Sequence, residues 1–340
     1  MKRKVFTYIF ALVLIFLTLW VILNGEDISD LKIFITKTNK LFLALAFMAI
    51  ICCWIFDAII IKLSANMLQL NFGICKSLKL TMIGQYYGSI TPFALGSQPA
   101  QIYALMNEGV PAGKAASIMM NKYIIYQVVV TVYSIVMLPF VMGFIWIHAK
   151  VTVPFIFFGV LIHLIGTLVL FGLAFNYRVL KRIITWIISL ASRMNLVKSK
   201  GTVTVKVMKQ LDEYMIGLGQ VRACWRTSNK IIVLMCCQFT CYFSISYFIY
   251  KALGQQGFSY GILLALGAVQ YIAVSYMPTP GSVGASEGGF YLLFNSMFKS
   301  GTMTYATLIW NVISYQMGLV FGALFVLGSY IIKRIQRIKI

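Results

Sequence analysis

The sequence predicts an all-α polytopic membrane protein built as an inverted repeat, with three spans and one re-entrant hairpin in each half. The first observation is composition: 60% of the 340 residues are hydrophobic and only 11% are charged, whereas soluble domains carry about 25% charged residues. The second is a series of apolar runs of roughly the 20 residues that a helix needs to cross a bilayer. The third is a turn containing Pro and Gly that recurs in the second half of the chain.

Six apolar segments are long enough to be full membrane spans, and two more are interrupted. The full spans cover residues 5–23, 41–63, 115–147, 155–175, 231–250 and 305–332. The first is too long for a signal peptide, so we expect an uncleaved span. The apolar segments 78–106 and 262–298 are broken by Pro and Gly, which predicts hairpins. An eight-span arrangement, in which each hairpin crosses twice, has the same parity.

The charge of the chain orients these spans. The net charge is +21, from 29 Lys and Arg against 8 Asp and Glu, and we attribute it to the positive-inside rule and not to nucleic-acid binding. Residues 176–230 hold 11 Lys and Arg against Asp212 and Glu213. We therefore expect this segment and both termini to be cytoplasmic. It is predicted to be a helical insertion, with a turn at Lys198–Gly201, that meets anionic inner-leaflet lipid.

An internal repeat supports this scheme. Thr91-Pro92 followed by Gly96 matches Thr279-Pro280 followed by Gly284, at an offset of 188 residues. The same offset superimposes two pairs of predicted spans. Three spans in each half reverse the orientation of the second repeat. We expect a first membrane repeat at 1–147 and a second at 148–340 that contains the insertion at 176–230.

The two turns are the predicted substrate site. Broken helices at membrane depth free backbone groups, and paired inverted repeats place such breaks together near the midplane. Glu287 is a functional candidate because a carboxylate at this depth is costly; it would pair with Lys122 or bind a cationic headgroup. Asp57 would pair with Lys62 or Lys122 in a structural role. The candidate substrate-binding residues are Glu287, Lys122, Gln85, Tyr86, Thr91, Pro92, Gln98, Gln270, Tyr271, Thr279, Pro280, Ser282 and Ser286.

Two stretches resemble a known family. GQYYGSITPFALGSQPAQIYAL at 84–105 and MPTPGSVGASEGGFYLLF at 277–294 are similar to regions of the membrane domain of lysylphosphatidylglycerol synthase/flippase proteins. The resemblance implies a bacterial cytoplasmic-membrane protein that flips a polar or aminoacylated phospholipid and is linked to resistance to cationic antimicrobial peptides. Many members carry Gly-Glu and a following Arg in the first region, where this chain has Gly96-Ser97-Gln98. This departure weakens the transfer of lysyl-lipid specificity from the family to this chain.

Two other functions stay open from the sequence. The soluble aminoacyl-transferase domain of full-length members has no counterpart, yet the chain fits a membrane enzyme or enzyme subunit of aminoacyl-phospholipid or glycolipid synthesis. Glu287 would then be a general base, and Lys122 would hold the phosphate. A small-solute secondary transporter is the other alternative. We expect no cofactor and no metal site, and the possible protein partners are a second copy or a separate lipid synthase.

The predicted topology is tested by labelling. In a variant that lacks the seven native cysteines, Lys200→Cys should resist a membrane-impermeant thiol reagent in intact cells and react after the cells are permeabilised. Ready labelling in intact cells would overturn the orientation of every span.

Overall fold

The protein is helical throughout the residues that the structure, a computed structural model, describes: 36, 38–194, 200–277, 279, 281–299 and 301–338. Twelve α-helices account for most of this part of the chain, which contains no β-strand. They are α1 Lys40–Asn66, α2 Ile74–Ser89, α3 Ser97–Met106, α4 Ala112–His148, α5 Val153–Phe175, α6 Tyr177–Arg193, α7 Lys200–Ala223, α8 Trp225–Ala252, α9 Tyr260–Val274, α10 Ala285–Phe294, α11 Met303–Asn311 and α12 Met317–Ile338.

Five of the six predicted spans are confirmed as helices long and apolar enough to cross a membrane. These segments are Lys40–Asn66, Ala112–His148, Lys150–Gly172, Trp225–Ala252 and Met303–Gly328. The predicted span at 5–23 lies outside the described residues. The α5 helix turns a broad apolar surface outward, as lipid-facing helices do. Its exposed side chains include Phe155, Phe157, Phe158, Leu161, Leu164, Ile165 and Leu168.

The two interrupted segments form helix–turn–helix hairpins. The first hairpin consists of α2 and α3, and the second consists of α9 and α10. Each second leg has 10 residues, which at 1.5 Å per residue spans about 15 Å. That length is about half of a ~30 Å hydrocarbon core. The legs of each hairpin are tied by one amide: Gln101 Nε2 donates to the Leu80 carbonyl at 3.0 Å, and Gln270 Nε2 donates to the Ser286 carbonyl at 2.8 Å.

The long helices α1 and α8 form an antiparallel pair. At one end the Asn39 amide donates to the Ala252 carbonyl at 2.8 Å. In the middle Cys53 Sγ donates to the Gln238 carbonyl at 3.3 Å. Residue numbers rise along α1 as they fall along α8. The C-terminal ends of α1 and α8 therefore lie at opposite ends of the pair.

The bases of the two hairpins are closed at these opposite ends. The first hairpin begins shortly after the end of α1, and there Lys76 Nζ lies 2.9 Å from a Glu108 carboxylate oxygen. The second hairpin begins shortly after the end of α8. There the Lys299 amide donates to Gln255 Oε1 at 3.3 Å. Each hairpin therefore starts and ends on one side of the α1–α8 pair, and the two hairpins extend toward each other.

The helix bounds follow the 188-residue offset. Adding 188 to α3 gives 285–294, the bounds of α10, and adding it to α2 gives 262–277, which overlaps α9. The packing follows the same pattern, because α2 packs against α12 and α9 packs against α4. The 188-residue offset relates α2 to α9 and α4 to the segment that contains α12, so the two contacts are equivalent. This equivalence supports the repeat inferred from the Thr-Pro turns.

The insertion is a pair of helices, α6 and α7, but its bounds differ from the prediction. Lys200 and Gly201 already belong to α7, so the turn placed at Lys198–Gly201 is wrong for these two residues. The α8 helix begins at Trp225, so the last residues of 176–230 belong to a long helix and not to the insertion. The α6 helix is capped at its N-terminus by Asn176, whose side chain accepts a hydrogen bond from the Val179 amide at 3.2 Å.

The ion pairs at the base of the first hairpin should give a pH-dependent stability. Burial raises the pKa of Glu108, but the hydrogen bonds and charges of Lys76 and Lys79 outweigh it, so the pKa lies below its ordinary value of 4.5. A depressed carboxyl pKa stabilises the folded state above the unfolded-state pKa, and that stabilisation is lost as the pH falls through the folded-state pKa. We expect Glu108→Gln to cost about 0.5–1 kcal/mol at neutral pH.

Thermal unfolding in detergent at a series of pH values measures this difference. The stability gap between wild type and Glu108→Gln should narrow as the pH falls below the ordinary carboxyl pKa. A gap that stays constant into the acid range would show that the ion pairs do not stabilise the hairpin base.

Candidate functional site

The tips of the two hairpins touch, as the repeat predicted. The Gly281 amide donates to the Thr91 carbonyl at 3.4 Å. Tyr315, from the turn between α11 and α12, donates through its hydroxyl to the Ser89 carbonyl at 2.8 Å. A Cβ on Gly281 would collide with the Tyr315 ring. Glycine is therefore needed where the second tip closes on the first.

The tips have unusual backbone conformations. Four described residues other than glycine have positive φ, and three of them lie here: Phe93 at 55°, Ala94 at 53° and Ser282 at 59°. The left-handed conformation costs an L-residue roughly 1–2 kcal/mol. Such strain clusters at ligand sites because the surroundings fix the backbone in a useful shape. The Thr91 side chain is one of the fixing groups, since its hydroxyl accepts from the Gly96 amide at 2.9 Å and donates to the Tyr87 carbonyl at 2.7 Å.

A cavity of about 580 Å³ lies against both tips. Its wall includes residues from both hairpins and from α1, α4, α5 and α8. Eight of the predicted site residues line it: Glu287, Lys122, Gln85, Gln98, Gln270, Tyr271, Ser282 and Ser286. Four others, Tyr86, Thr91, Pro92 and Thr279, are not part of the wall, and Pro280 lies outside the described residues.

A buried ion pair lies in the cavity wall. Lys122 Nζ is 2.7 Å from Asp57 Oδ1 and 2.8 Å from Oδ2, and the two side chains are only 14% and 11% exposed. The Thr81 hydroxyl donates to Oδ2 at 2.7 Å. Among the described residues Lys122 is the only Lys or Arg of the wall. The pairing of Asp57 with Lys62 and that of Lys122 with Glu287 are both wrong, and Asp57 itself belongs to the cavity.

Glu287 is held at the N-terminus of α10. The Gly284 amide donates to Oε2 at 2.5 Å, and the Asn311 side-chain amide donates to Oε1. A carboxylate at this position is stabilised by the helix dipole. Asn311 comes directly before a π-helical turn, Val312–Gln316, the same turn from which Tyr315 reaches the first hairpin. π-helical turns are frequent at functional sites, and this one joins the two hairpin tips.

Aromatic and histidine side chains complete the wall. The hydroxyls of Tyr126 and Tyr271 are hydrogen-bonded to each other. His163 Nδ1 lies 2.9 Å from Gln127 Nε2, and its Nε2 lies 2.6 Å from the Ser275 hydroxyl. His163 is not among the site residues predicted from the sequence. The signal that could have found it is an ionisable side chain inside an otherwise apolar span, which points to a bundle-facing position.

The cavity contains no metal-type cluster within the described ranges, where no three His, Cys, Asp or Glu side chains lie together. Its wall combines one compensated cation, two carboxylates, amides, hydroxyls and aromatic rings. Such a wall suits a polar ligand whose charges are distributed over more than one group.

Comparisons with known proteins place the chain among membrane proteins. Residues 8–322 match the family described as the lysylphosphatidylglycerol synthase TM region. The chain is also similar to a protein of Archaeoglobus fulgidus named UPF0104 membrane protein, with 24% identity over 318 residues, which cover 87% of this chain and 89% of the relative. These similarities identify a multi-pass membrane protein.

The ion pair in the cavity wall should be energetically coupled. Removing one partner of a buried pair leaves an uncompensated charge, which costs about 3–5 kcal/mol. We expect both Asp57→Asn and Lys122→Met to destabilise the protein on this scale. The double variant should lose less than the sum, by at least about 1 kcal/mol.

Unfolding of the four proteins in detergent completes this double-mutant cycle. Lys62→Met provides the matched control. Lys62 lies on α1, the same helix as Asp57, but the ion pair of Asp57 is with Lys122. Combined with Asp57→Asn, it should give additive effects. Additivity in the Lys122 cycle would mean that the pair does not stabilise the fold.

Proposed function

Because the chain belongs to the family of lysylphosphatidylglycerol synthase TM regions, we propose that it translocates a polar or aminoacylated phospholipid across the cytoplasmic membrane. The observation that carries this proposal is the polar cavity against two hairpin tips that extend toward each other from opposite ends of the α1–α8 pair. In a bacterium, such a lipid exposed on the outer leaflet would reduce the binding of cationic antimicrobial peptides.

The arrangement of the hairpins supports a transport cycle. Re-entrant hairpins in an inverted repeat place a substrate site between two elements that can move independently. The Gly281–Thr91 hydrogen bond joins the two tips, and the Tyr315 hydroxyl of the π-helical turn adds a hydrogen bond to Ser89 of the first hairpin. Parting the tips would break the Gly281–Thr91 backbone hydrogen bond. Alternating access would then follow from opening one hairpin at a time.

The charges of the wall favour a headgroup that carries an amine. With His163 neutral, the described wall holds Lys122, Asp57 and Glu287, for a formal charge of −1 (+1 − 1 − 1). A purely anionic headgroup would meet this charge in a region of low dielectric constant, where repulsion is strong. An ammonium group would instead be attracted to Glu287, and the tyrosine rings add cation–π attraction.

The phosphate of the lipid would be recognised at Lys122. Lysine is suited to phosphate as a compact charge with three donors. If Lys122 turned from Asp57 toward the phosphate, Asp57 would keep the hydrogen bond that Thr81 donates to it. The Asp57 carboxylate would therefore retain one hydrogen-bond partner. The cavity volume is in the range of small-ligand pockets. The headgroup would thus occupy the cavity while the acyl chains stay in the bilayer.

Glu287→Gln tests the proposal most directly. The amide keeps the size of the side chain and can still accept the Gly284 hydrogen bond, but it cannot attract an amine by charge. We expect translocation of a labelled aminoacylated lipid in proteoliposomes to fall at least roughly tenfold, equal to ~1.4 kcal/mol. Exposure of the labelled lipid on the outer leaflet gives the rate.

Glu108→Gln is the matched control, because Glu108 is an acid at the hairpin base and does not line the cavity. It should transport like wild type. Wild-type transport by a folded and inserted Glu287→Gln protein would reduce Glu287 to a helix cap. Chemical conversion of the lipid by purified protein without transfer across the bilayer would support an enzyme instead of a flippase.

A further inference from the structure

The α6 helix carries an apolar face with no partner among the described residues. Ile183, Trp186, Ile187 and Leu190 are spaced at i, i+3, i+4 and i+7, which places them on one stripe of the helix. All four are exposed, Trp186 to 65%. An exposed tryptophan within an apolar stripe is typical of helices that lie in a membrane interface.

A different apolar face of α6 is already used. Leu180 and Ile184 pack with Leu211 and Leu218 of α7, and Ile188 is buried at 6% exposure. The apolar surface of α6 is therefore broader than its contact with α7, which covers only the part that contains Leu180 and Ile184. The exposed stripe needs a separate explanation, because a soluble surface helix presents a polar face to water.

Basic side chains border the exposed stripe. Arg178, Lys181, Arg182 and Arg193 are all exposed, and α6 contains no acidic residue. Successive residues turn by about 100°, so Arg178, Arg182 and Arg193 lie on the side of the helix next to Trp186. Basic residues along the edge of an apolar stripe are complementary to anionic headgroups above hydrocarbon.

The position of α6 is fixed at the boundary of the membrane region. Only Asn176 separates it from α5. Through Tyr214 the neighbouring α7 is tied to two long helices, since the Tyr214 hydroxyl donates to the Ala174 carbonyl of α5 at 3.3 Å and the Ser117 hydroxyl of α4 donates to the Tyr214 carbonyl at 3.3 Å. A Cβ on Gly217 would collide with the Ser117 hydroxyl, so the two helices are in close contact.

We propose that the exposed stripe of α6 and its flanking basic residues form a docking surface for an anionic lipid leaflet. The membrane is favoured over a protein partner for three reasons: the short link to a membrane span, the one-sided distribution of positive charge, and the interfacial tryptophan. This surface is separate from the cavity, and its existence does not depend on the proposed translocation.

Hydrogen–deuterium exchange in nanodiscs tests this surface. The full-length protein would be placed in phosphatidylcholine discs and in discs that also contain about 30 mol% phosphatidylglycerol, to supply a negative surface potential. We expect the amides of 177–193 to exchange at least roughly tenfold more slowly in the anionic discs. High salt should remove most of the difference, because it screens surface charge.

The combined variant Arg178→Gln, Lys181→Gln and Arg182→Gln should lose the lipid-dependent protection. Its control carries the same loss of charge at exposed lysines outside α6: Lys206→Gln, Lys209→Gln and Lys230→Gln. The control should keep the protection of 177–193. Equal exchange of wild type in both kinds of disc would overturn the proposal, as would protection that depends on the number of protein copies per disc, because the stripe would then bind a second copy.

Discussion

The constraint on which this structure depends is that backbone polar groups cannot remain unpaired in hydrocarbon. Two breaks in apolar helices create such groups, and the fold pairs them with each other. Gly281 donates its amide to the Thr91 carbonyl, while Thr91 uses its hydroxyl to hold the Gly96 amide. The long helices enclose these turns. A cavity results because the turns have left-handed residues and small side chains where a continuous helix would fill the space.

The two halves of the chain solve the same geometric problem with different chemistry. In the second half Glu287 caps the N-terminus of α10. In the described first half the equivalent helix, α3, has no side-chain cap, and the equivalent position is Pro99. The two hairpins are therefore similar in helix layout but differ in the side chains that they contribute to the wall. Under the proposed translocation, a molecule with chemically distinct ends would suit such a wall better than a symmetric solute.

The charges of the described residues differ between the cavity and the exposed surface. Within the cavity a single lysine is balanced by Asp57, so the buried region is close to neutral and slightly acidic. The excess of positive charge lies in the insertion and other exposed segments. This separation follows from energetics, since an unpaired charge is expensive in the bundle and inexpensive at the surface. The same separation underlies the two proposals, in which an exposed surface would bind anionic lipid and the cavity would accept an amine.

The sequence by itself determined the elements that depend on local composition. Hydropathy located the five long helices because crossing a bilayer requires about 20 apolar residues in succession. Pro and Gly located the hairpin breaks, and the 188-residue offset matched α3 to α10 in advance. Most of the polar wall was also named, because its residues are close to the breaks in the chain.

Only the tertiary structure decided which charges meet. Asp57 and Lys122 are 65 residues apart in sequence, and their pairing depends on how α1 packs against α4. His163 belongs to the wall because α5 presents it to α4 and to the end of α9. The apolar face of α6 was visible as a periodic pattern, but its exposure was not, since periodicity shows that a face exists and packing determines whether it is covered.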